Sequence, residues 1–231
     1  MRILLISDIH SNWAALQAVR EECDACLFLG DLVDYGVDPV PCVDWLRKHM
    51  THGVRGNHDH GAAQAVTVRG AAGFRYLTGA TRSLNRERLT EPDRRFLAEL
   101  PVTRWLTVDS RRFLLVHATP RDPLEEFGRP EVEFWESRLR GLDADFVCVG
   151  HTHHPYTLRV GETVVVNPGS VGLQRDGDPR AAYAVITDGQ VELRRVEYAI
   201  DAAVAAVESA PLPEQARYML AEVYRNGRLI K

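Results

Sequence analysis

The chain opens with Arg2-Ile3-Leu4-Leu5-Ile6-Ser7, an apolar run without alternation, as expected of a strand covered on both faces. Residues 25–29 repeat that pattern and predict a second buried strand. Between them, Ser11 or Asn12 can cap a helix that carries Leu16 and Val19 on one side. Asp38-Pro39 then places an N-cap before a proline at the first helical position. Val43, Leu46 and the flanking Trp45 fit that helix, and Gly53 falls just past its end. This β-α-β-α beginning predicts an α/β domain with a partly parallel sheet.

Residues 61–100 read as mostly helical. Short strands return at 112–116, 146–149, 163–166, 182–186 and 191–196, the last two joined by the hairpin signal Asp188-Gly189. From Ile200 onward the pattern is helical again, broken by Pro211 and Pro213. Tyr218, Leu220 and Val223 there suit either a dimer contact or packing on the chain's own sheet. There is no internal repeat and no low-complexity segment. The expectation is one domain over 1–231, with a helical insert at 61–112 shaping access and C-terminal helices at 200–231.

Composition narrows the classes. With 45% hydrophobic and 26% charged residues, the 231-residue chain is an ordinary globular sequence, long enough to bury a core without disulfides. A formal charge of −4 gives no whole-chain basic field, so nucleic acid and anionic membrane are not the expected partners. Lys48 and Lys231 are the only lysines among the cations, a coding bias or a thermophile trait, not a functional sign. The run from Ile3 to Ile6 is too short for a signal segment or a membrane span, which points to a cytoplasmic protein. Cys23 and Cys26 form a C-x-x-C with no second pair, and read as small hydrophobes at a helix–strand junction.

Metal-type ligands recur just past the predicted strands, where α/β sheets tend to bind their ligands. Asp8 and His10 follow the first strand, and Gly30-Asp31 and Asp34 the second. A third turn holds Gly56-Asn57-His58-Asp59, a later strand ends at His117, and another runs into Gly150-His151-Thr152-His153. One His at a strand end is usually a hydrogen-bonded structural residue. Five such turns are another matter, because that many buried polar groups are costly unless they are paired or bind an ion. A set of imidazole, carboxylate and one amide oxygen, without thiolate, suits manganese, iron, nickel, cobalt or zinc.

These residues resemble the calcineurin-like metallophosphoesterase superfamily, whose ordered signature is D-x-H, G-D-x-x-D, G-N-H-[DE], H and G-H-x-H. The chain has Asp8-Ile9-His10, Gly30-Asp31-Leu32-Val33-Asp34, Gly56-Asn57-His58-Asp59, His117 and Gly150-His151-Thr152-His153 in that order. Asn167-Pro168-Gly169-Ser170-Val171-Gly172 extends the likeness toward small bacterial and archaeal phosphodiesterases of the group. Between 61 and 112, and beyond Val196, the likeness is sparse.

The resemblance implies a four-layer αββα sandwich of two mixed β-sheets flanked by helices, with two divalent transition-metal ions, manganese first, at one edge. Asp8, His10, Asp31 and His153 would hold one ion. Asn57, His117 and His151 would hold the other, with Asp31 bridging. A metal-activated hydroxide would attack phosphorus, and His58, outside the ligand set, would protonate the leaving group or hydrogen-bond the transition state. Asp59 would orient that ring, and Asp34 would support the turn or a ligand His.

The implied activity is hydrolysis of a small-molecule phosphodiester or nucleotide, with a phosphomonoester or dinucleoside polyphosphate as alternatives. A homo-oligomer is compatible with it. The retromer subunit of the same fold is a scaffold lacking the catalytic His, and His58 is present here. Tyr35 stands where the family's protein phosphatases carry an Arg, which weakens that reading. Arg55 does match that branch, with structural and phosphate-binding roles evenly placed. Asn12 fits helix capping and a phosphate contact equally well. His60 and His154, beside the motifs, are expected on the surface, as is the mixed-charge Arg-rich stretch 82–95.

Overall fold

The first buried strand of the chain, β1 (Arg2–Ile6), divides its side chains between two cores, and the fold follows from that division. The structure is a computed structural model and describes residues 1–229. After β1 come α1 (Trp13–Leu16), β2 (Ala25–Phe28), α2 (Pro39–His49), β3 (His52–Gly53), α3 (Asn57–Ala63), α4 (Gly73–Arg88) and α5 (Glu91–Glu99). The second half holds β4 (Thr103–Val108), β5 (Arg111–Val116), α6 (Val132–Leu139), β6 (Phe146–Cys148), β7 (Tyr156–Val160) and β8 (Thr163–Asn167). It closes with β9 (Ala181–Thr187), β10 (Gln190–Val196), α7 (Ile200–Ser209) and α8 (Glu214–Asn226). Residues 230 and 231 of the expected C-terminal segment lie outside the described residues.

Two five-stranded sheets result, in the orders β10-β9-β1-β2-β3 and β4-β5-β6-β8-β7. The first is parallel through β1, β2 and β3, with β9 and β10 antiparallel. The second is parallel through β5, β6 and β8, with antiparallel edges β4 and β7. Ile3, Leu5 and Leu27 face Phe113, Leu115 and Phe146 of the other sheet. Phe113 and Phe146 stack there with centroids 4.8 Å apart. One residue along, Leu4, Ile6 and Phe28 point the other way, onto Leu16, Val43 and Leu46 of α1 and α2. Leu114, Val116 and Val147 likewise cover Trp135 and Leu139 of α6. The layers are therefore helix, sheet, sheet, helix, as the resemblance implied.

Beside the first sheet, α4, α7 and α8 form their own apolar cluster through Leu77, Leu84, Val204, Leu220 and Val223. Leu220 and Val223 thus pack within the chain, whereas Tyr218 remains 67% exposed. No helix among the described residues is long and apolar enough to cross a membrane.

The structure departs from the sequence expectation in several places. The insert at 61–112 is helical only to Glu99, since β4 occupies Thr103–Val108. It is an edge strand joined to β5 through Asp109-Ser110, both left-handed at φ 52° and 60°. The elements α6, β3 and β7 were also not expected from the pattern. Asn12, not Ser11, caps α1, accepting from the Ala15 amide at 3.1 Å. Gly53 ends no helix. It lies in β3, and α2 stops at an extended Met50.

Candidate metal centre

The turns leaving the C-terminal ends of β1, β2, β3, β5 and β6 meet at one edge of the sandwich and are stitched together by backbone hydrogen bonds. The Asp8 amide donates to the Gly30 carbonyl at 2.9 Å, His10 to Asp31 at 3.1 Å and Gly150 to His117 at 2.8 Å. Such close approach needs glycine at Gly56, where a Cβ would lie 2.0 Å from Asp31 Oδ1. The price falls on the other turn residues. Among the described residues, twelve non-glycines have positive φ, and eight lie in these turns: Asp8, His10, Ser11, Asp31, Asp34, Tyr35, His151 and His153. Strain held at a buried polar cluster is characteristic of functional sites.

Two groups of donor atoms converge: Asp8, His10 and His153, and Asp31, His117 and His151. His153 Nε2 lies 3.2 Å from Asp8 Oδ1, and His117 Nε2 lies 3.2 Å from Asp31 Oδ2. Asp31 stands between the groups, because its Oδ2 is also 3.8 Å from His10 Nε2. Asn57 joins the second group with Oδ1 3.2 Å from His117 Nε2.

The chemistry of this donor set fits cations. His10 Nδ1 donates to the Val33 carbonyl at 2.9 Å, His117 Nδ1 to Leu29 at 2.8 Å, and His153 Nδ1 to Leu173. A neutral imidazole spends its one proton in that bond and turns a bare Nε2 inward. The Nε2 atoms of His10 and His153 then face each other at 3.2 Å, two lone pairs with nothing between them. Asp8 Oδ1 is buried without a hydrogen-bond partner. Acceptors aimed at acceptors call for positive charge. Burial works against the Asp31 charge, yet His117 and His58 hold its carboxyl well below the usual range. Burial likewise opposes protonation of His117, but Asp31 overrides it and raises that ring to about 9, so Asp31 draws a proton onto Nε2 where no other cation stands. His151 and His153, where burial dominates, fall to about 4 and about 3 and offer neutral rings.

His58 sits beside this cluster, not in it. Its amide donates to Asp31 Oδ1 at 2.9 Å, and its ring Nε2 is 4.0 Å from Asp31 Oδ2 and 3.4 Å from the Tyr35 hydroxyl. Nδ1 is held by Asp34 Oδ2 at 2.7 Å. Asp34 in turn receives Arg82 Nε at 2.8 Å on both oxygens. Burial disfavours a charged His58 ring, but Asp31 and Asp34 outweigh it and raise its pKa. The expectation that Asp59 orients this ring is therefore corrected. Asp59 is the third residue of α3, and its carboxylate accepts the amides of Asp31 at 2.8 Å, Leu32 at 2.7 Å and Gly56 at 3.1 Å. It ties the second turn to the third. Burial, and then the Asp31 charge, push its pKa up to about 7.

A cleft of about 490 Å³ opens above the cluster, lined by Asp31, Asn57, His58, His151 and His153 at its base. Its walls include Val66, Val68, Phe74 and Phe127.

A family model described as the calcineurin-like phosphoesterase superfamily domain matches residues 1–189. The chain belongs to the calcineurin-like phosphoesterase superfamily. It is 31% identical to an uncharacterized protein of Methanocaldococcus jannaschii, over 92% of this chain and 94% of that one. Among solved structures, a metallophosphoesterase from Sphaerobacter thermophilus superposes with a TM-score of 0.82 at 31% identity, covering 96% of this chain and 98% of the other. A hypothetical protein from Pyrococcus horikoshii shares the fold at a TM-score of 0.83 and 20% identity, covering 95% and 97%.

Within this calcineurin-like phosphoesterase the remaining candidates separate clearly. Asn12 is structural: beyond capping α1, its Nδ2 donates to the Gly172 carbonyl at 2.9 Å. Arg55 is turned away from the cleft, donating to the Ala98 carbonyl at 2.9 Å. His154 is exposed, but His60, expected on the surface, lines the cleft. Three arginines line the cleft, Arg75, Arg82 and Arg175, and none is among the expected site residues. Arg82 belongs to the stretch expected on a solvated face, yet it is 5% exposed. Arg175 lies three residues past the Asn167–Gly172 motif, and that proximity was its one sequence signal.

Proposed function

We propose that this phosphoesterase is a dinuclear metal-dependent hydrolase of a small-molecule phosphodiester or nucleotide, acting in the cytoplasm. Asp8, His10, Asp31 and His153 would hold one ion, and Asn57, His117 and His151 the second, with Asp31 serving both. The observation that carries this reading is the position of Asp31, whose Oδ2 lies 3.8 Å from a ring of one group and 3.2 Å from a ring of the other. Two divalent ions at such a site supply Lewis acidity toward phosphoryl oxygens and an acidified water near neutral pH.

The chain's own residues do the rest. Hydrolysis forms one P–O bond from water and breaks another, and the departing alkoxide needs a proton. His58 carries it at Nε2, which faces the cleft while Nδ1 is anchored on Asp34. The Asp34 carboxylate at Nδ1 and the nearby Asp31 favour the protonated form of the ring. Asp34 fixes the ring's direction, and Arg82 fixes Asp34. The apolar walls at Val66, Val68, Phe74 and Phe127 favour an ester with a carbon substituent over free phosphate, which supports an organic phosphate ester as the substrate.

The test is to strip the protein with chelator, restore manganese, and follow an aryl phosphodiester beside the matching monoester. Metal-dependent turnover with diester preference is the expected result. A monoester preference moves the substrate class. No turnover with manganese, iron, nickel, cobalt or zinc overturns the enzymatic reading in favour of a scaffold.

A further inference from the structure

We propose that Arg175 grips the substrate phosphate, making it the residue that sets specificity for a phosphorylated ligand in this cleft. The inference rests on the phosphoesterase reading of the same site. Three observations carry it. First, Arg175 lines the cleft together with His58, His151 and His153, within reach of a group bound over the metal cluster. Second, its charge is uncommitted. Among the described residues no carboxylate forms an ion pair with it, and its Nε is buried without a partner. Arg82, by contrast, is bound to Asp34, and Arg75, exposed at the rim, donates its Nε to the Arg69 carbonyl at 2.8 Å.

Third, the guanidinium is held by an aromatic face and a hydroxyl, neither of which neutralises its charge. Its carbon lies 4.1 Å from the centroid of the Phe74 ring, a cation–π contact. One terminal nitrogen reaches the Tyr35 hydroxyl at 3.4 Å. Tyr35 is 2% exposed, left-handed at φ 60°, and packs edge-on against His10 at 4.7 Å and Phe74 at 5.9 Å. The ring therefore forms a rigid post between the metal cluster and Arg175. A fork of N–H donors fixed in plane, with no anion of its own, is arranged for the planar, bidentate recognition that phosphate oxygens receive from arginine. Position 35 itself carries no cation, and the loop after β8 supplies one beside it.

The experiment measures binding of inorganic phosphate to the manganese-loaded protein by calorimetry, for wild type, Arg175→Met and Arg175→Lys, with bound metal counted in each. A charge-assisted pair of hydrogen bonds is expected to make phosphate binding about 10–100-fold weaker in Arg175→Met at unchanged metal content. Arg175→Lys should recover only part of that loss, because a point charge cannot form the fork or stack on Phe74. In the ester assay the same substitutions should raise KM more than they lower kcat. Equal phosphate affinity in wild type and Arg175→Met, or no phosphate binding by wild type, overturns the assignment. Phosphate binding that depends on Arg175 in a protein that turns over no ester would uphold the grip and overturn the hydrolase reading instead.

Discussion

Asp34→Asn isolates the tie between His58 and the scaffold. The carboxylate receives the His58 ring at 2.7 Å and the Arg82 guanidinium, and the three side chains are 0%, 10% and 6% exposed. The amide keeps the volume but removes the charge, and it presents a donor where two donors already point. Removing one partner of a buried ion pair costs about 3–5 kcal/mol, because the other charge is left unpaired. A chain of this length shifts its melting temperature by about 2–4 °C per kcal/mol. The expected loss is therefore roughly 6–20 °C. Thermal unfolding followed by circular dichroism at pH 7, on chelator-treated protein, reads it without interference from bound metal. Arg82→Met and the double variant complete the cycle. The double variant should be more stable than the sum of the single losses, since it strands no guanidinium. A melting temperature for Asp34→Asn within about 2 °C of wild type, together with additive losses, would refute the reasoning.

Other expectations follow from the same geometry. His58→Ala should lower kcat by about 10²–10⁴-fold while both ions remain bound, counted by elemental analysis, and near wild-type turnover would remove His58 from its role. Asp31→Asn should bring the content below two ions per chain, and full occupancy would show that Asp31 is not shared. Glu21 supplies a pH test away from the cleft. Burial alone would raise its pKa, but hydrogen bonds from Arg2, Arg194 and Tyr183 bring it down to about 2. Its contribution is present above the unfolded value near 4.5 and is lost as pH falls toward 2. Glu21→Gln should thus cost about 1–2 kcal/mol at pH 6.5, screening included, with a gap that narrows below pH 4.5. A deficit independent of pH would exclude the ionised carboxylate as its source.

The strands that position the site were legible because they are covered on both faces and so read as unbroken apolar runs. The edge strand β4 was not. Four of its six residues are exposed, Trp105 among them at 46%, and only Leu106 and Val108 reach the core, too few to impose a pattern. Its turn hid as well. Asp188-Gly189 announces a hairpin because glycine takes φ 82° freely, whereas Asp109-Ser110 makes a left-handed turn with residues that rarely signal one. At the site, the donor atoms were visible as motifs because each follows its strand directly. What the motifs could not show was pairing across the chain. His58 adjoins Asp59 in sequence, but the ring meets Asp34, 24 residues earlier, because the first turn of α3 directs Asp59 to backbone amides. Arg175 meets Tyr35 across 140 residues and belongs to no motif, so only the folded chain reveals the pair.

The left-handed turns have a consequence for the history of such a protein. An L-residue in that conformation opposes folding by about 1–2 kcal/mol, and Asp8, His10, Asp31, His151 and His153 all adopt it. Their sum, roughly 5–10 kcal/mol, is of the order of a domain's entire stability. Glycine at any of these positions would relax the backbone and delete a donor atom in the same step. A lineage released from its chemistry therefore has an easy downhill route, gaining robustness as it loses reactivity. Asp and His at these five positions, spread over three turns, trade backbone ease for the donor atoms that glycine would delete.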